Sequence, residues 1–182
     1  MLVRAQSPRL TAAQYLELEQ ISDIQHEYWV EDVYAIASSL RHQIIAGNIY
    51  VYLQLKLWDS YKVYADTSVR IDAPLRFYCP DVSVVKIQEQ DSCVETYPFL
   101  IVEVTSSSTN LRDRSEKLLA YQNLAPLTEY VIVAQDRVQV EVYCLNNQDQ
   151  WQRKLYGIGE SVELLSVGLT VPIEQIYEDI CF

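Results

Sequence analysis

Glycine and proline are scarce in this chain, 4 and 6 of 182 residues. So few chain breakers exclude collagen-like and low-complexity architectures, and 49% hydrophobic residues exclude a disordered tail. Basic residues are also short, 14 Lys and Arg against 25 Asp and Glu, giving a formal charge of −11. That balance excludes nucleic-acid affinity drawn from a broad basic surface. It leaves open a locally basic groove, or a carboxylate cluster whose divalent cations meet phosphate. The four cysteines, at 79, 93, 144 and 181, form no CxxC pair and no metal-finger spacing, which fits free thiols in a reducing cytoplasm. No apolar run approaches the ~20 residues that cross a bilayer, and no apolar leader marks a secreted precursor. A soluble cytoplasmic protein with no membrane partner is the expectation.

What is present reads as a single domain over 1–182, a length that suits one packed core. TAAQYLELEQ (11–20) opens with a capping box between Thr11 and Gln14 and predicts a short helix. HEYWVEDVYAIAS (26–38) predicts a hairpin broken at Glu31-Asp32. From Ser39, which can cap, to about Trp58, the positions Ile44, Ile45, Ile49, Tyr52, Leu53 and Leu57 recur at helical spacing. Strand-like pieces follow at 61–71 and 79–87, with Pro80 at a strand entrance, and the clearest strand is 98–106. A helix capped by Thr109 or Asn110 runs to about Asn123, with Leu118 and Leu119 toward a sheet and Asp113, Lys117 and Tyr121 on another face. Strands at 129–134, 138–145 and 150–156 and a last half-turn of helix from Pro172 complete the order. It implies an α/β (α+β) fold, a mixed central sheet flanked by helices with an N-terminal β-hairpin.

The anomaly is Glu103, alone inside the apolar run PFLIVEVTS. A buried carboxylate costs several kcal/mol unless a cation, hydrogen bonds or a metal ion offsets its lost hydration. Asp81, an acid after proline at the start of VSVVK, holds a comparable place; it is either a turn residue or a second acid at the same sheet edge. Two hard oxygen ligands meeting there would suit Mg²⁺, which takes few carboxylates and keeps waters for substrate. Lys117 by itself reads as a solvated helix lysine, paired with Asp113. The serines at 106, 107 and 108 lack a GxSxG elbow and read as loop and capping residues. The 14 tyrosines supply sheet surfaces, bases' stacking partners or apolar area for a homodimer.

Taken together, PDVSVV, LIVEVTSSST and DRSEKLLAY resemble the Uma-two family of restriction-endonuclease-like proteins, which carry a degenerate PD-(D/E)xK signature. HEYWVEDVYAIA, SLRHQIIAGNIYVYL, EYVIVAQDRVQVEVY and LTVPIEQIYE extend the resemblance over almost the whole chain. It implies a Mg²⁺-dependent (or Mn²⁺-dependent) endonuclease acting on nucleic acid, DNA above RNA. Asp81 and Glu103 would be the metal-binding acids, Glu27 an additional acid, and Lys117 a lysine moved to the following helix, because Thr105 stands where the usual lysine would be. His42 would match the family's histidine and contact substrate, or else make structural hydrogen bonds. The family's glycine in the hairpin is replaced here by the Glu31-Asp32 pair. The alternative is a nuclease-fold module that has lost cleavage and serves nucleic-acid binding or protein interaction, in keeping with the acidic balance and the lack of a basic recognition helix.

Overall fold

The computed structural model describes residues 3–4, 9–72, 74–87, 97–106 and 113–182. Its elements in chain order are β1 (Val3–Arg4), α1 (Ala12–Ile21), β2 (His26–Trp29), β3 (Asp32–Ala35), α2 (Leu40–Leu57), β4 (Tyr61–Ala65), β5 (Val69–Asp72), β6 (Leu75–Tyr78), β7 (Val82–Lys86) and β8 (Leu100–Thr105). A π-helical turn (Asp113–Lys117) then runs straight into α3 (Leu118–Gln122). β9 (Glu129–Ala134), β10 (Val140–Leu145), β11 (Trp151–Tyr156), β12 (Ser161–Leu164), β13 (Leu169–Pro172) and α4 (Ile173–Ile176) complete the described residues.

The central sheet has six strands in the order β11-β10-β9-β8-β7-β4. It is mixed because β8 and β9 pair parallel while the other pairs are antiparallel. A parallel pair needs a crossover, and α3 lies within it. A second, five-stranded sheet, β1-β3-β2-β6-β5, holds the expected hairpin, and β12 pairs with β13 alone. Val30 and Glu31 turn the hairpin with φ of 47° and 71°, the left-handed conformation that a two-residue β-turn requires. Glycine or asparagine would take it at less cost; Val30 is held there without either.

Alternation along β8 divides the core. Leu100, Val102 and Val104 face α2, the β12–β13 hairpin and α4 in one cluster, while Ile101 joins Tyr121, Tyr130, Ile132 and Tyr78 on the other face. The five-stranded sheet and α3 cover that second face. α1 closes the five-stranded sheet from outside, with Tyr15 against Tyr28 and Phe77.

The structure refines several sequence expectations. Thr11 and Gln14 form the capping box, and Ser39 caps α2 through His42 N–H. The 61–71 stretch divides at Asp66, whose φ is 49°, into strands of different sheets. Leu119 is 63% exposed rather than packed on the sheet, because the π-helical turn adds a residue per turn and moves Ala120 and Tyr121 into the buried positions. The proposed caps Thr109 and Asn110 lie outside the described residues, as does the side chain of Asp113.

Candidate active site

Glu103 sits near the C-terminal end of β8, on the face shared with Ile101, and is 5% exposed. Lys117, the last residue of the π-helical turn, reaches it with Nζ 2.8 Å from Oε1. The same ammonium lies 2.8 Å from Oε1 of Glu27, which β2 contributes from the other sheet. One buried cation thus joins two buried carboxylates across the inter-sheet junction. Tyr121, a turn further along, donates its hydroxyl to the same Glu103 oxygen at 3.0 Å. The Tyr78 ring lies 5.5 Å from Lys117 Nζ, adding a π-face to the ammonium's surroundings. Burial and the Glu103 charge both push the Tyr121 hydroxyl far above its ordinary range, so it stays a donor.

The turn that carries Lys117 is itself anchored. Arg114 pairs with Glu141 of β10, a fully buried acid that also meets Arg153 at 2.8 Å. From the same turn Glu116 accepts a hydrogen bond from the Tyr78 hydroxyl at 2.6 Å and lies 3.7 Å from Arg76. π-helical turns are rare and frequently found at functional sites, and this one is held at both edges by ion pairs.

Asp81 lies just before β7. The register Val82↔Val102 brings it opposite Glu103 when continued by one residue. Its Oδ2 accepts the Val104 N–H at 2.6 Å, and its Oδ1 lies 3.2 Å from Nε2 of His42, in the first turn of α2. Burial disfavours the charged His42 ring, but the hydrogen bond and charge of Asp81, with Asp66, outweigh it and lift its pKa above the ordinary value. Burial and the Asp81 charge push Asp66 up as well.

All five residues expected from the sequence are therefore placed in this region, as two groups. Glu27, Glu103 and Lys117 form a closed ion cluster, and Asp81 with His42 adjoins it at the end of the β7–β8 ladder. Among the described residues, no three His, Cys, Asp or Glu side chains converge as a metal-binding group. Mg²⁺ asks less of the protein, binding through one or two carboxylates and keeping its waters, and hard oxygens on adjoining strands suit it. His42 Nδ1, Ser83 Oγ and Thr105 Oγ1 are buried and make no hydrogen bond among the described residues, polar atoms of the kind that water or ligand normally completes.

Tyr78, Arg114 and Glu141 escaped the sequence reading. Glu141 carried the same signal as Glu103, an acid within the apolar run VQVEVYC. Nothing local marked Tyr78 or Arg114, whose roles depend on the packing of two sheets.

A family model described as "Uma2: Putative restriction endonuclease" matches residues 12–174. Two uncharacterised proteins of Synechocystis sp. are each 30% identical, one over 96% of this chain and 95% of its own length, the other over 83% and 89%. In structure, a "putative nuclease belonging to DUF820" from Anabaena variabilis superposes with a TM-score of 0.73 at 14% identity, covering 92% of this chain and 97% of its own. That likeness establishes the restriction-endonuclease-like fold.

Proposed function

This chain belongs to the Uma2 family of restriction-endonuclease-like proteins, and we propose that it is a divalent-metal-dependent endonuclease that hydrolyses phosphodiester bonds of DNA. Asp81 and Glu103 would hold Mg²⁺ or Mn²⁺. Held there, such an ion would supply positive charge to the phosphate and lower the pKa of a bound water. Lys117 orients the attacking water or meets the oxyanion charge that develops at phosphorus, and Glu27 holds that ammonium in place. Tyr121 fixes the rotamer of Glu103 through its hydroxyl. His42, 3.2 Å from Asp81, would contact the scissile phosphate or orient the Asp81 carboxylate. A homodimer would present one such cluster to each strand of a duplex.

The observation that carries this reading is the meeting of Lys117 with Glu103. A lysine 14 residues downstream, on a turn of its own, reaches the strand acid that the missing strand lysine would otherwise serve. The test is relaxation of supercoiled plasmid with Mg²⁺ or Mn²⁺. Wild type is expected to nick and Asp81→Ala to be silent. Equal nicking by both, or none by either, contradicts the proposal.

A second reading has its own support in the saturation of Glu103 Oε1 by Lys117 and Tyr121 and in the charge of −11. On that reading the cluster is a structural ion network in a non-cleaving module. Wild-type protein would then fold and stay intact without nicking under either ion.

A further inference from the structure

α2 is apolar on both faces. Ile45, Ile49, Leu53 and Leu57 are buried against the six-stranded sheet. Diametrically opposite, Leu40, Ile44, Gly47, Val51, Leu55 and Trp58 step by three or four residues and fall within about 80° of one another around the helix. Leu40 is 73%, Val51 53%, Leu55 70% and Trp58 72% exposed. A surface helix normally keeps one apolar stripe and faces water with the other side, so a second, exposed apolar stripe calls for a cover.

Two further features say what the cover is. The helix spans 18 residues without a single acid, in a chain that carries 25 of them. For a molecule of charge −11, a second copy is repelled by most of the surface, and an acid-free helix is where it can approach. The other feature is Gly47. Mid-helix glycine is costly relative to alanine, and this chain holds only 4 glycines. Nothing in the fold accounts for it: a Cβ placed there meets no atom within 4 Å among the described residues. A glycine at the centre of an apolar helix face is accounted for when another backbone must come close at that point. Leu40 and Ile44 lie on one side of it and Val51 and Leu55 on the other. An antiparallel copy crossing at Gly47 would set Leu40 near Leu55 and Ile44 near Val51, each apolar residue meeting another, as a two-fold axis requires.

We propose that the outer face of α2 is a homodimer interface, two copies crossing antiparallel with Gly47 at the two-fold axis. A helix of this length offers a face about 27 Å by 10 Å, so two faces amount to roughly 540 Å² in all. That is below the ~1,000 Å² of a stable specific interface, and the dimer is weak and reversible. Because the interface lies on the side of α2 opposite the sheet, it does not depend on the chemistry assigned to Glu103.

Sedimentation velocity of the full chain over a range of concentrations tests this. Wild type is expected as a monomer–dimer equilibrium, and Val51→Glu as a monomer with an unchanged circular-dichroism spectrum. Gly47→Leu gives the sharper signature, because leucine fits the open space in the monomer and favours helix but blocks the crossing. It should dissociate the dimer while melting no lower than wild type. A wild-type protein monomeric at every concentration overturns the proposal, as does a dimer that survives both substitutions.

Discussion

Glu103, Glu129 and Glu141 each carry a carboxylate into an apolar strand, and each is answered by different chemistry. Glu103 has Lys117 and the Tyr121 hydroxyl, and Glu141 has Arg114 and Arg153. Glu129 is hydrogen-bonded, among the described residues, by the neutral donors Leu165 N–H, Ser166 N–H and Ser166 Oγ, with the Lys154 charge acting on it from further off. Replacing Lys117 by Met leaves Glu27 and Glu103 facing one another without their cation. The expected loss is about 3–5 kcal/mol in urea denaturation, part of it restored by adding Glu27→Gln. A change within about 0.5 kcal/mol would show that the cluster holds no buried charge. At Glu129 burial raises the pKa despite those donors. The folded state therefore holds the proton more tightly than the unfolded chain, and this contribution to stability is complete below the unfolded value of about 4.3 and lost as pH rises through the folded one. The stability difference between wild type and Glu129→Gln should move in favour of wild type as pH falls from neutrality toward 4, read from denaturant midpoints. A pH-independent difference would contradict that assignment. The lone-acid signal was thus legible for burial but not for role, since which partner answers each acid is decided by elements distant in sequence.

Among the elements, α1, the β2–β3 hairpin, α2 and β8 follow from local physics: a capping box, Tyr, Trp and Val on both sides of an acidic break, apolar spacing and an apolar run broken only by Glu103. The π-helical turn does not. Apolar spacing over Leu118 and Leu119 reads as ordinary helix, and the ion pairs of Arg114, Glu116 and Lys117 to separate strands favour the extra residue. Its consequence is checkable in a pair of variants. Leu119→Ser should change stability by no more than about 0.5 kcal/mol, because the side chain stands in solvent. Tyr121→Phe should cost about 1–3 kcal/mol by removing a donor to a buried carboxylate. The reverse order in thermal or urea melts would restore the ordinary helical register. β6, β12 and β13 passed unread for another reason: four-residue strands with one or two buried positions carry too little alternation to stand out.

At the scale of the molecule, the sequence implied one mixed sheet with helices, and the fold has that sheet with a second one laid across part of it. The second sheet is what brings Glu27 to Lys117, and no pattern in 26–38 could reveal which residue the hairpin would meet. The five residues nominated from the sequence lie in two adjoining groups at the ladder end where β7 meets β8. Whether those groups act as one centre is a question about a divalent ion. A crystal of the wild-type protein soaked in Mn²⁺ answers it by anomalous scattering. The account predicts a peak between the carboxylates of Asp81 and Glu103, absent from Glu103→Gln crystals treated alike. A fully soaked crystal with no peak there, or an equal peak in the variant, would contradict it.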